Sequence, residues 1–424
     1  METGAFERTE LPSGLRILTE RMPSVRSVAL GIWTGVGSRD ETPRQSGASH
    51  FLEHLLFRGT ERRTAIQIDE EIDEVGGELN AFTSKEYTCF YARTLDRDLP
   101  LAVDLLLDVV LHAKLARSDV EAERSVILDE IGMHNDTPDD LVHEVHSQVL
   151  FGGHQLGRPV LGTTESIKGM SRDAIRRHWR RWYTPENLVV AAAGSCSHDE
   201  IVAQVNQVLR QTRFAEQPGR RQPRRAPLLH GGVAVRHRPI DQAYVVYGMQ
   251  GLSRSDPRRF ALGVLNFAFG GGASSRLFQQ VRNNRGLAYH IYSYLTHYSE
   301  TGSFSVYAGT SASNVHELLA VVRDEVDRLM ADGLTEEELA RGKGHLKGSM
   351  VLGMEDPAGR MTRLGKSELT SGEILSVDEV LRRVDEVSDA DIRAVAKEIL
   401  SPSSRALAVI GPFDDKDDFE RYVR

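Results

Sequence analysis

Two stretches of the chain carry the same pattern. They are SRDAIRRHWRRWYTPENLVVAAAG, from Ser171 to Gly194, and SDADIRAVAKEILSPSSRALAVIG, from Ser388 to Gly411. The offset is a constant 217 residues, 171 to 388 and 194 to 411. Within it Ser171 matches Ser388, Ile175 matches Ile392, Pro185 matches Pro402 and Gly194 matches Gly411. Each copy reads as an N-capped helix, a break marked by proline, and an apolar strand closed by glycine. A weaker likeness lies upstream. AVDLLLDVVLHAKLARSDVEAERSVILDEI resembles ELLAVVRDEVDRLMADGLTEEELARGKGHLKGSM, and each reads as two helices around a short break. Aligning Leu115 with Leu334 gives an offset of 219, so a small insertion separates the two blocks. A chain of 424 residues is too long for one ordinary core. Self-similarity on this scale predicts two copies of one fold.

Strands and helices mix in both halves. Val28 to Trp33, Tyr87 to Arg93 and Leu188 to Ala193 are strand candidates in the first half. Ala243 to Gly248, Phe304 to Gly309 and Ala406 to Ile410 are their counterparts in the second. The expected fold class is α+β: two homologous domains, each a mainly antiparallel sheet covered by helices. The expected division is 1–210, a linker at 211–232, and 233–424. The linker, QTRFAEQPGRRQPRRAPLLHGG, is rich in Pro, Gly and Arg and lacks periodicity. Its arginines read as a solvated connection in preference to a docking site for an acidic partner.

Composition removes several function classes. The formal charge of -9 disfavours a broad nucleic-acid surface. Apolar runs such as LAVDLLLDVVLHA are broken by Asp and His and are too short to span a bilayer. The start, METGAFERTELPSG, lacks the basic and apolar regions of a secretory signal. Two cysteines, Cys89 and Cys196, provide neither a disulfide framework nor a thiolate metal site. A cytoplasmic location is the expectation.

One stretch raises a chemical question. ASHFLEHLLFRG, residues 48 to 59, sets His50, Glu53 and His54 among leucines and phenylalanines. On a helix, positions i, i+3 and i+4 share one face. Both imidazoles then reach one metal ion, and the carboxylate reaches a water beside it. Zinc suits such donors, and a catalytic zinc keeps one position open. H-x-x-E-H is the inverted form of H-E-x-x-H. The alternative is the wet face of an amphipathic helix; against it, residues 47 to 57 contain no Lys or Arg. A third ligand is required, and EAERSVILDEI offers Glu123 and Glu130, two helical turns apart on one face. Solvated acids are common too, so this pair alone decides nothing.

With these residues in view, the chain resembles the M16 inverzincin metallopeptidases, and most closely the half-length bacterial group similar to the β subunit of the mitochondrial processing peptidase. The likeness runs through LPSGLRILTE, GVGSRDE, HFLEHLLFRGT, GGELNAFTSKEYTCFYA, ERSVILDEI, GGGASSRLFQQVR and RGLAYHIYS. The resemblance implies one Zn2+ per chain, held by His50, His54 and Glu130, with Glu53 as general base. Glu123 matches the family's second acidic position, which supports the site. Gly77 to Thr83 matches the edge strand that receives the substrate backbone, with Asn80, Ala81 and Phe82 as contacts; a turn role for Asn80 after Gly76-Gly77 is the alternative. Arg282 and Tyr289 match the Arg–Tyr pair that handles the substrate backbone from the family's other half. GGGASS, residues 270 to 275, lacks the Lys-Ser/Thr ending of a phosphate loop and reads as a tight turn.

The second half carries no H-x-x-E-H, and the 219 offset places Gly342 at the position of Glu123 and Ser349 at that of Glu130. The resemblance therefore implies a metal-free second copy. It further implies half of a clamshell, completed by a homodimer or by a heterodimer with a related subunit. The implied substrates are unstructured peptides or flexible leader and targeting segments. The competing reading is a non-catalytic peptide-binding or scaffold subunit.

Overall fold

The structure is a computed structural model that describes residues 6–212, 214, 224–228, 230–401 and 405–424. Half of the expected linker, residues 213, 215–223 and 229, lies outside these residues, as does Pro402. Eleven strands form two sheets among the described residues. The first contains β1 (Glu7–Glu10), β2 (Arg16–Arg21), β3 (Ser27–Thr34), β4 (Glu78–Thr83), β5 (Thr88–Leu95) and β6 (Leu188–Gly194), in the order β1-β2-β6-β3-β5-β4. The second contains β7 (Gly232–His237), β8 (Gln242–Gly251), β9 (Ala288–His297), β10 (Gly302–Ser311) and β11 (Ala406–Gly411), in the order β7-β11-β8-β10-β9. Matching β7, β11, β8, β10 and β9 to β2, β6, β3, β5 and β4 superposes the two orders. In each sheet one pair is parallel, β2–β6 and β7–β11, and the others are antiparallel. The fold is thus α+β, with two sheets covered by helices.

The repeated segment folds as its sequence suggests. Ser171 caps helix Arg172–Trp182 by accepting from the Ala174 N–H, and Ser388 caps helix Asp389–Ile399 by accepting from that of Asp391. Each side-chain cap satisfies one of the N–H groups that a helix start leaves open. Pro185 opens a short turn before β6, and Gly194 closes that strand at φ +129°.

The first sheet is buried on both faces, which explains the unbroken apolar run LVVAAA in β6. Leu30, Ile32, Phe90, Val190 and Ala192 pack on one side against the helices Ala48–Leu56 and Leu99–His112. Ala29, Trp33, Cys89, Val189 and Ala191 pack on the other against Met361 and Leu364 of helix Pro357–Thr370. Alternate residues of one strand therefore serve two cores. Gly365 is required there: a Cβ at this position would sit 2.2 Å from the Trp33 indole nitrogen.

The compact units differ from the contiguous domains expected from sequence. One comprises residues 1–132, 159–222 and 351–376; the other comprises 133–158, 223–350 and 377–424. Helix Pro138–Phe151, from the first half of the chain, packs on the second sheet through Leu141, Val142 and Val145. Helix Pro357–Thr370, from the second half, packs on the first. The exchange is reciprocal and falls at equivalent places in the duplication. An amphipathic pattern states that a helix has a buried face but not which sheet buries it, so a linear boundary could not anticipate the swap.

Candidate metal centre

Helix Ala48–Leu56 begins at Gly47, in the left-handed region at φ +89°, and has no capping side chain of its own. Its cap comes from Glu41. One carboxylate oxygen accepts the Gly47 N–H at 2.7 Å and the other accepts the Ser49 N–H at 2.7 Å. Burial pushes this carboxyl up to about 8, and the two backbone N–H groups oppose that rise. The Ser49 hydroxyl is also tied, 3.1 Å from His178 Nε2. Phe51, Leu52, Leu55 and Leu56 are fully buried and anchor the helix in the core. His50, Glu53 and His54 are left on the face towards helix Arg117–Asn135 and the end of β4.

Three ligand atoms converge there, one each from His50, His54 and Glu130, all within 4.8 Å of one another. Glu130 Oε2 lies 3.5 Å from His50 Nε2 and 3.7 Å from His54 Nε2. The imidazole rings stand edge to face with centroids 4.6 Å apart. Burial, and then the neighbouring His54, hold His50 down to about 3, so its ring is neutral at physiological pH. A neutral imidazole keeps the lone pair that a metal needs.

Glu123 plays a different part from Glu130. Its Oε2 stands 3.0 Å from His54 Nδ1, and its other oxygen pairs with Arg58. That contact fixes His54 as the tautomer protonated on Nδ1 and leaves Nε2 open towards Glu130. Glu53 is held by Thr83, whose hydroxyl donates to Glu53 Oε2 at 2.5 Å. Burial raises the carboxyl of Glu53, while Thr83 opposes the rise. A raised carboxyl suits a group that must both take and return a proton.

The donor set fits zinc. Two imidazoles and one carboxylate match a catalytic zinc's three protein ligands. Among the described residues, the buried Glu130 Oε2 has no hydrogen-bond partner. An orphaned buried carboxylate oxygen is costly unless something cationic meets it.

Among the described residues, β4 forms one edge of its sheet and pairs with β5 alone. Leu79 and Ala81 face the core, and Phe82, 37% exposed, packs on the opposite face against Trp33, with centroids 5.7 Å apart. Asn80 is exposed and its side-chain oxygen accepts from the Ala81 N–H at 2.8 Å. This N–H is therefore occupied by a side chain rather than by another strand. Arg282 and Tyr289 meet in the second unit. Arg282 sits on the π-helical turn Phe278–Asn283, with its guanidinium 4.5 Å from the Tyr289 ring centroid and 4.7 Å from that of Phe278. Tyr289 is 69% exposed. Residues 271–275 form a turn leading into this segment. At Gly342, the counterpart of Glu123, a Cβ would lie 2.9 Å from the Val264 carbonyl oxygen, so the second copy has no room for a carboxylate there.

Three contributors escaped the sequence reading: Glu41, Arg58 and Thr83. All lie in stretches that carried the resemblance, GVGSRDE, HFLEHLLFRGT and GGELNAFT, but their roles depend on contacts that spacing does not reveal. The two cysteines are buried and unbonded, and burial pushes both thiols up, to about 11 for Cys196. No helix among the described residues is long and apolar enough to cross a membrane.

The molecule is thus a duplicated α+β fold with a candidate metal centre in its first half. The family description "Insulinase (Peptidase family M16)" matches residues 16–164, and "Peptidase M16 inactive domain" matches residues 169–346. The chain belongs to peptidase family M16. It is 50% identical to an uncharacterized zinc protease of Streptomyces coelicolor, over 97% of this chain and 91% of that protein. A second such protein, from Mycobacterium tuberculosis, is 44% identical over 99% of this chain and 96% of its own length. The uncharacterized zinc protease YmxG of Bacillus subtilis is 38% identical, over 96% of this chain and 98% of that protein. In fold, the chain matches the crystal structure of a peptidase M16 inactive domain from Pseudomonas fluorescens, with TM-score 0.90 at 20% identity, over 97% of this chain and 99% of that one. A protease from Helicobacter pylori matches at TM-score 0.89 and 19% identity, over 96% and 99%.

Proposed function

We propose that this protein is a zinc-dependent endopeptidase that cleaves unstructured peptides or flexible leader and targeting segments. The observation that carries the reading is the convergence of His50, His54 and Glu130 within 4.8 Å beside a base held in place. The names of the relatives support zinc as the metal. Bound at these residues, zinc would polarise the scissile carbonyl and lower the pKa of water to about 7. Glu53 takes the proton from the attacking water and passes it to the departing amine. Glu123 keeps His54 in its ligating tautomer. The β4 edge accepts the peptide as an added strand, which gives affinity without demanding one sequence.

The working unit is a dimer around an enclosed chamber that admits flexible chains, a homodimer in the simplest case. Arg282 and Tyr289 of a second copy complete each site by holding the peptide backbone near the scissile carbonyl. A donor aimed at a developing oxyanion contributes strongly to such reactions. The intact ligand set favours an enzyme over a scaffold subunit.

The test is cleavage of a mixture of unstructured peptides by the wild type and by Glu53→Gln, with bound zinc quantified in both. Cleavage by the wild type alone, with both loaded, supports the reading. Absence of cleavage by a zinc-loaded wild-type dimer refutes it.

A further inference from the structure

Thr83 is the last residue of β4, the edge strand, and its hydroxyl donates to Glu53 Oε2 at 2.5 Å. No other side chain is bonded to Glu53 among the described residues. Opposite Thr83 across the β4–β5 ladder stands Thr88, fully buried, whose hydroxyl lies 3.4 Å from that of Thr83 and 3.0 Å from the Val36 carbonyl oxygen. One carboxylate oxygen of Glu53 is therefore tied by the Thr83 hydroxyl to the end of β4, where Thr83 packs beside the buried Thr88, whose hydroxyl donates to the Val36 carbonyl oxygen. The same strand that offers its edge at Asn80 and Ala81 thus carries, at its end, the group that aims the base.

We infer that Thr83 is a positioning residue that couples the seating of a peptide on β4 to the alignment of Glu53. The inference rests on the peptidase reading above. A strand residue is better suited to this than a loop residue, because its register on β5 is fixed by the ladder from Glu78–Arg93 to Thr83–Thr88. A carboxylate free to rotate loses the near-attack geometry, and a misplacement of about 1 Å can cost about 100-fold in rate. The proposed peptide contacts, Asn80, Ala81 and Phe82, precede Thr83 on the strand.

The experiment compares wild type, Thr83→Val, Thr83→Ser and Glu53→Gln, together with the Glu53→Gln/Thr83→Val double variant. Valine preserves the shape and removes the hydroxyl; serine restores it. Zinc content and melting temperature establish that each variant is loaded and folded. The expected result is a fall in kcat of about 10- to 100-fold for Thr83→Val, with KM within about threefold of the wild type. Thr83→Ser recovers most of that loss. Thr83→Val adds nothing to the loss caused by Glu53→Gln, because the hydroxyl acts only through that carboxylate. The inference is overturned if Thr83→Val, loaded and folded, keeps the kcat of the wild type, if serine fails to restore it, or if the two substitutions add fully. These outcomes are read against an active wild type; an inactive zinc-loaded wild type overturns the peptidase reading and this inference with it.

Discussion

Replacing Glu123 by glutamine separates the two acidic residues that sequence alone leaves side by side. Glu123 is 2% exposed and lies 3.0 Å from His54 Nδ1, while its second oxygen meets Arg58. Glutamine keeps the volume and can still offer a carbonyl oxygen to Nδ1–H, but the acceptor becomes neutral. A hydrogen bond to a charged group is roughly twice as strong as one between neutral groups. The imidazole loses basicity and part of its orientation, and zinc affinity should fall about 10- to 100-fold. That is about 1.4 to 2.7 kcal/mol. Glu130→Gln removes an anionic donor itself and should cost more than Glu123→Gln. The assay is competition for zinc with a chelator of known affinity, on wild type and both variants, with circular dichroism to verify folding. Zinc binding by Glu123→Gln as tight as that of the wild type would refute the tautomer argument. So would equal losses in the two variants, because Glu123 would then be acting as a ligand.

Other consequences are equally direct. Mixed dimers of Glu53→Gln and Arg282→Ala subunits should recover part of the wild-type activity after verified subunit exchange, since one intact composite site forms; no recovery would count against the shared site. Ala81→Pro deletes the N–H that a peptide added to β4 would take over from the Asn80 side chain, and under the proposed seating it should raise KM about tenfold with melting temperature nearly unchanged; an unchanged KM would place peptide seating elsewhere. Stability should fall in mild acid. Burial holds His178 down to about 4 and His146 to about 3, against an ordinary value near 6.5. Below 6.5 the unfolded chain takes up protons that the folded one refuses, so the contribution is complete above 6.5 and is lost progressively towards pH 4. Each unit of pH in that window costs up to about 1.4 kcal/mol per histidine. Denaturant unfolding at pH 7 and 5 measures it, and His178→Gln should flatten the slope.

Much of this was legible because duplication writes the same instruction twice. Ser171 and Ser388 cap equivalent helices, and the strands after them, β6 and β11, lie at equivalent places in two sheets of one order. The His50–His54 spacing dictated a shared helix face, and the helix is there. Three things escaped. The exchanged helices escaped because periodicity does not name a partner: Met361 and Leu364 look alike whether they cover Trp33 or the other sheet. Glu41 escaped because a cap six residues upstream of its helix follows no capping pattern. Thr83 escaped because its role requires β4 to end beside Glu53, a meeting of residues 30 apart in sequence.

The most direct test of the account is metal reconstitution. Wild-type protein stripped of metal should be inactive and should recover cleavage in proportion to added zinc, reaching a plateau at one ion per chain. The same titration on Glu130→Gln should show neither tight binding nor recovery. Full cleavage by the stripped protein, or unchanged stoichiometric zinc binding when Glu130 is replaced, would contradict a peptidase centre built from His50, His54 and Glu130.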